Sequence, residues 1–324
     1  MYPLDSASVN STTSFPSGPV RPRRSPLEDG VVSAIGNTPL LPLRSIVERA
    51  GGTFELWAKA EQFNPTGSVK DRTARGIVVD AIANGQLGPH RTLMDASSGN
   101  TAVAYAMLGA RLGFPVELIL PSNAHPSRVA RIREFGANIV FTDPTDGTDG
   151  AQREARRRAA EHPERYFYPD QYNNPSNPRA HYTSTGPEIW EQVGGRITHF
   201  VAGIGTGGTI TGASRYLKER KPAVRVVGVE PPGPIHGIEG LKHIPTALRP
   251  STYDERLVDD TLRVETEDAL EMQHRLAREE GLLVGASAGA AVWAAVQVGR
   301  SVPGAVVVTI LPDGGHVVTE GGPA

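Results

Sequence analysis

Three short segments of this chain hold residue types and spacings that could do chemistry. The first is Asn64-Pro-Thr-Gly-Ser-Val-Lys70-Asp-Arg72. A Pro-Thr-Gly-Ser turn leads into a helical pattern, so Lys70 falls in the first helical turn. The positive end of the helix dipole disfavours an ammonium there and lowers its pKa. An amine of that kind suits a Schiff base to an aldehyde cofactor; taken alone, it also reads as a solvated surface lysine. The second segment is Ala96-Ser-Ser-Gly-Asn-Thr101, directly after a strand pattern. Its hydroxyls, amide and backbone N–H groups at a helix start can hold a carboxylate, or some of them can simply cap the helix. The third is Gly203-Ile-Gly-Thr-Gly-Gly-Thr209. Four glycines and two threonines opening a helix form a nest of N–H donors suited to phosphate. The loop lacks the Lys-Ser/Thr pair of a nucleoside-triphosphate loop and the spacing of a dinucleotide fingerprint. A tight structural turn is the other reading.

The elements that must position these loops are legible as short apolar runs alternating with helix-length amphipathic segments. Strands are predicted at Phe54–Lys59, Thr92–Asp95, Val116–Leu120, Asn138–Thr142, His199–Ala202, Val224–Val229 and Ala305–Leu311. Helical patterns lie near 70–84, 101–113, 126–136, 149–161, 208–220, 266–281 and 287–299. Such alternation predicts βαβ units with parallel sheets, whose ligands sit beyond the carboxyl ends of the strands. The fold class is therefore α/β, with two three-layer αβα domains and mostly parallel twisted sheets. Residues 1–27, rich in Ser, Thr, Pro and Arg, read as a flexible N-terminal tail. An N-terminal α/β domain is expected over 28–174 with the lysine and the hydroxyl loop. A C-terminal α/β domain is expected over 175–320 with the glycine loop. Two irregular stretches stand out, Tyr168–Pro178 between the domains and Pro231–Tyr253, and long loops are more often functional than accidental.

Composition narrows the function classes. The chain has 324 residues, a net charge of -2 and no cysteine. That balance gives no reason to expect nucleic acid or an anionic membrane surface, and the lack of thiols excludes disulfides, thiolate metal sites and a cysteine nucleophile. No metal site is expected. There is no long apolar run and no signal-peptide core near the N-terminus, so a cytoplasmic address is expected.

An amine, a carboxylate cradle and a phosphate cradle at sheet edges are the parts needed to hold an amino acid on a phosphorylated aldehyde. At this point the residues resemble those of the fold-type II (tryptophan synthase β-like) pyridoxal-phosphate enzymes, and among them the cysteine synthases, especially the B type. GNTPL, NPTGSVKDR, SSGNT, PDQYNNPSNP, THFVAGIGTGGTITG and GASAGA follow the family's order from Gly36 to Gly315. The resemblance implies pyridoxal 5'-phosphate as cofactor and replacement of the β-substituent of O-acetyl-L-serine or O-phospho-L-serine by sulfide or a sulfur-carrier donor. It implies a homodimer. It makes Lys70 the Schiff-base lysine that also moves the α-proton, and Asn100 the partner of the ring hydroxyl. Gly205, Thr206, Gly207, Gly208 and Thr209 become the phosphate loop, and Ser97, Ser98, Thr101 and Gln171 the grip on the substrate carboxylate. Closure of the part near 100–140 over the bound substrate is expected to exclude water.

Two departures from the family pattern are visible. Gly314 stands where a serine is expected to face the pyridine nitrogen, with no carboxylate placed to protonate it, and Ala102 follows the SGNT run where glycine is common. Pro231–Tyr253 carries His236, Lys242, His243 and Arg249. Lys242 and Arg249 are the candidates for contact with a charged leaving group. Related readings are a serine or threonine dehydratase, a cystathionine synthase, a β-replacement enzyme with an amine nucleophile, or a non-catalytic binding partner. SGNT and Gln171 speak against the dehydratase. Lys70 and the glycine loop speak against a non-catalytic partner.

Overall fold

The computed structural model describes residues 30–97 and 99–315; the tail expected over 1–27, and Ser98, lie outside the described residues. The strands form two sheets. The larger contains β1 (Leu40–Pro42), β2 (Glu55–Ala60), β7 (His199–Gly203), β8 (Arg225–Glu230), β9 (Asp260–Arg263) and β10 (Val306–Leu311), in the order β1-β2-β10-β7-β8-β9. The smaller contains β3 (Thr92–Ala96), β4 (Val116–Pro121), β5 (Asn138–Thr142) and β6 (Tyr166–Phe167), in the order β5-β4-β3-β6. Only β1 runs antiparallel to its neighbour; every other pairing is parallel.

The seven predicted strands all form, each within one residue of its expected ends. The helices are α1 (Arg44–Arg49), α2 (Lys70–Ala83), α3 (Asn100–Leu112), α4 (Pro126–Glu134), α5 (Gly147–Glu161), α6 (Ser176–Ala180), α7 (Gly186–Gln192), α8 (Gly208–Arg220), α9 (Thr266–Glu280) and α10 (Ala286–Ser301). A π-helical turn over His181–Thr185 joins α6 to α7, so the chain is helical from Ser176 to Gln192 and turns helical inside the stretch expected to be irregular. Strand β10 reads VVVTIL and every residue is buried, as expected of a parallel strand covered on both faces. Helix α10 is apolar almost all round and lies between α9 and the sheet.

The linear division at residue 174 does not describe these sheets. Strands β1 and β2 come from the N-terminal part of the chain, yet β2 pairs along its whole length with β10, from Glu55 opposite Val306 to Ala60 opposite Leu311. A buried strand such as β10 needs a hydrogen-bonding partner on both edges, and β2 and β7 supply them. The chain leaves the larger sheet at Ala60, builds the smaller one and returns at β7. The carboxyl ends of β2, β10 and β7 therefore open onto the same cleft as the carboxyl end of β3.

Candidate active site

Lys70 is the first residue of α2, ten positions beyond the end of β2. The turn before it is tied to the sheet: Val69 N–H donates to Pro312 O at 2.7 Å, and Ser68 bridges to Asp313. Two residues later Arg72 enters a buried ion cluster. Its Nε donates to Glu61 at 2.7 Å and its Nη1 to Glu188 at 2.6 Å, while Lys59 Nζ meets the other Glu188 oxygen at 2.6 Å. Burial pushes the Glu188 carboxyl up, but Arg72 and Lys59 outweigh it and hold the group at about 2. Buried charges are tolerated only when fully paired, so this cluster fixes the geometry of the turn that carries Lys70. Desolvation lowers the Lys70 pKa, opposed by the negative charges of Asp313 and Glu61. The main cause is burial rather than the helix dipole alone, and it favours the neutral amine.

Gly205, Thr206, Gly207 and Thr209 line the same cavity of about 330 Å3, and Gly208 opens α8 behind them. Side chains are excluded here by contact. A Cβ on Gly205 would lie 2.4 Å from Gly240 O, and one on Gly208 would lie 1.9 Å from Asn177 Oδ1. Gly207 has φ +82°, which glycine adopts at no steric cost. The Asn177 amide donates to Thr206 Oγ1 at 3.0 Å and to Gln171 O at 2.8 Å. His181 Nε2 lies 3.2 Å from Thr209 Oγ1. Burial, with help from Arg72 and Lys70, lowers His181 to about 3, so it is a neutral strut. Among the described residues the N-terminal N–H groups of α8 have no side-chain cap apart from a long 3.4 Å contact of Gly208 N–H with Thr206. An uncapped helix start wrapped by a close-fitting glycine loop suits a phosphate.

Opposite, at the end of β3, Ser97, Asn100 and Thr101 line the cavity with Gln171. The residue at the N-cap of α3 is Gly99, so none of these side chains is used as the N-cap. Thr101 Oγ1 donates to Gln171 Oε1 at 2.9 Å, and both residues are buried. That bond occupies the amide oxygen and leaves the Gln171 NH2 as the donor for an anion. Asn100 Nδ2 donates to Asp313 Oδ2 at 2.7 Å.

The cavity wall also holds residues not expected from the sequence. Asp313 brings a carboxylate beside Lys70; burial raises its pKa against the pull of Asn100 and Lys70, and its Oδ1 has no partner among the described residues. Gly314 is not on the wall, whereas Ser287 in the first turn of α10 is. The fold brings Asp313 in just beyond the end of β10, where it meets Asn100 and lies beside Lys70. Asn177 sits inside the PDQYNNPSNP segment and Ser287 inside GASAGA, so both carried a local signal. Arg128 and Glu239, which pair across the mouth, carried none. Of the leaving-group candidates, Lys242 lines the cavity with its ammonium 4.9 Å from the centre of the Tyr172 ring. Arg249 lies in an adjoining cavity of about 530 Å3 and pairs with Glu255 at 2.8 Å.

Burial of an amine, a helix N-terminus shaped by glycines and an unpartnered buried carboxyl oxygen fit a phosphorylated pyridine aldehyde. Comparison with known proteins agrees. A family model described as pyridoxal-phosphate dependent enzyme matches residues 31–313. The chain is 49% identical over 291 residues to a cysteine synthase of Aquifex aeolicus, covering 88% of this chain and 89% of that one. It is 43% identical over 281 residues to cysteine synthase B of Salmonella typhimurium, covering 87% and 91%. A crystal structure of cysteine synthase (OASS) from Entamoeba histolytica superposes with a TM-score of 0.85 at 31% identity, covering 97% of this chain and 96% of that one. Motif, geometry and relatives converge: this chain belongs to the pyridoxal-phosphate-dependent enzyme family.

Proposed function

We propose that this protein forms L-cysteine by replacing the β-substituent of O-acetyl-L-serine with sulfide. The observation that carries the reading is a single cavity lined by Lys70, by Ser97, Asn100, Thr101 and Gln171, and by the glycine loop before α8. Relatives named cysteine synthase over most of the chain support it. Pyridoxal phosphate, when bound, supplies an electron sink that acidifies the α-proton and lets the β-substituent depart. The loop Gly205–Thr209 and the start of α8 hold its phosphate, and Asn100 meets its ring hydroxyl. Lys70 Nζ, kept neutral by burial, takes the α-proton and holds it. Gln171 and Thr101, with Ser97 and Ser98, bind the substrate carboxylate and so orient the α-carbon toward Lys70. Lys242 is the residue we assign to contact with the departing group. Arg249 has a place in the same proposal only through the adjoining cavity.

We read the protein as a cytoplasmic homodimer, in keeping with its family; no helix among the described residues is long and apolar enough to cross a membrane. The test is product identity. Purified protein with cofactor is mixed with O-acetylserine or O-phosphoserine, with and without sulfide, and the amino acid formed is identified. Cysteine formed only with sulfide, and lost in Lys70→Ala, is the expected result. Pyruvate as the main product in the presence of sulfide would make the protein a dehydratase.

A further inference from the structure

We propose that Glu239 selects the charge class of the β-substituent, by neutralising the one guanidinium that the described residues place on the wall of the Lys70 cavity. The inference rests on the β-replacement reading above. Arg128, on α4, has a side chain only 10% exposed, and it lines the cavity together with Glu239. Its two terminal nitrogens grip the Glu239 carboxylate, one oxygen each, the second at 2.9 Å. The partner is unequal: the Glu239 side chain is 69% exposed, on the irregular segment that follows β8. A buried receptor for an oxyanion is thus filled by an exposed side chain of the protein itself. The fork of a guanidinium matches a carboxylate and a phosphate equally well.

The charge balance at the mouth gives this pairing a consequence. Lys70 is committed to the cofactor, so among the described residues Arg128 and Lys242 are the cations left on the cavity wall, which also carries the carboxyls of Asp313 and Glu239. With Glu239 seated on Arg128, a phosphate dianion meets an added carboxylate and finds the guanidinium taken. An acetyl ester carries no charge and meets no such repulsion. Glu239→Gln removes the carboxylate charge and leaves an amide oxygen that can hold only part of the fork. The guanidinium then faces a phosphate group. Because Glu239 is largely exposed, the change opens no hole in the core.

The test compares kcat/KM for O-phosphoserine and O-acetylserine at fixed sulfide in wild type, Glu239→Gln and the double variant Arg128→Met/Glu239→Gln. Glu239→Gln should raise the phosphoserine-to-acetylserine ratio by about ten-fold or more, the value of a gained hydrogen-bonded charge contact. The double variant should return the ratio to the wild-type level or below. Titration of inorganic phosphate into each cofactor-loaded protein by calorimetry should show the same order of affinities. An unchanged or lowered ratio in Glu239→Gln, or a rise that survives loss of Arg128, overturns the proposal. If wild type turns over neither donor, the β-replacement reading fails instead. The phosphate titration then decides this inference, which falls if Glu239→Gln binds phosphate no more tightly than wild type.

Discussion

Thr101→Val separates the carboxylate cradle from the framework that holds it. Valine keeps the shape of threonine and deletes the hydroxyl that donates to Gln171 Oε1 at 2.9 Å. Thr101 is 3% exposed and Gln171 4%, so no bulk water replaces the lost donor. An orphaned buried acceptor costs about 1–3 kcal/mol. For a chain of this size that lowers the melting temperature by roughly 1–5 °C. The second effect is on binding. Without the Thr101 bond the Gln171 amide is free to turn, and the substrate carboxylate loses an oriented N–H donor. A hydrogen bond to a charged group contributes about 1.5–3 kcal/mol, so amino-acid affinity should fall about ten- to a hundred-fold. The assay is titration of the cofactor-loaded variant with O-acetylserine, followed by the cofactor's absorption, beside a thermal melt and a cofactor assay. A second variant, Gln171→Leu, should weaken binding to a similar degree, and combining the two should add little, since they act on one bond. Unchanged affinity in Thr101→Val, whatever the melting temperature, would refute the role of this pair. Loss of cofactor instead of substrate would move it to the phosphate loop.

Two further outcomes are expected. Gly208→Ala drives a methyl group against Asn177 Oδ1, which lies 1.9 Å from the ideal Cβ position; purified variant should retain far less cofactor than wild type by absorbance, and full occupancy would contradict the assignment of this loop. Asp95, on β3, is buried, its Oδ2 has no partner among the described residues, and burial raises its pKa to about 8 despite the Ala96 N–H. Because that value lies above the ordinary carboxyl value, the stability it contributes is complete in acid and is lost as pH rises through about 8. Wild-type stability should therefore fall between pH 5 and 8 relative to Asp95→Asn, by at most about 1.4 kcal/mol per pH unit; parallel denaturant midpoints at both pH values would refute the assignment.

Local pattern made most of this protein legible. Strands β3, β4, β7, β8 and β10 follow from short apolar runs, because a strand covered on both faces leaves a nearly unbroken hydrophobic stretch; β2 and the half-exposed β5 follow from the shorter runs Leu56-Trp57-Ala58 and Ile139-Val140-Phe141. The lysine, hydroxyl and glycine loops were legible for a related reason: each packs its proposed function into a few consecutive residues at one helix start. What escaped was whatever depends on a distant partner. Strands β1, β6 and β9 have three, two and four residues, and pairing with a longer neighbour defines them more than their own sequence does. Helices α6 and α7 were hidden by Pro175, Pro178 and Pro187, residues that signal a break yet are tolerated at a helix start. The charges tell the same story. Asp313 meets Asn100 across 213 residues, Arg72 meets Glu188 across 116, and Arg128 meets Glu239 across 111. A charged side chain carries no directional mark in the sequence, and its partner exists only once β2 has crossed to β10 and the two sheets share one cleft. The sequence by itself determined the longer strands and helices and singled out the loops proposed to bear the chemistry. Tertiary structure alone decided which charges those loops would face, because only sheet assembly removes the water that would otherwise screen them.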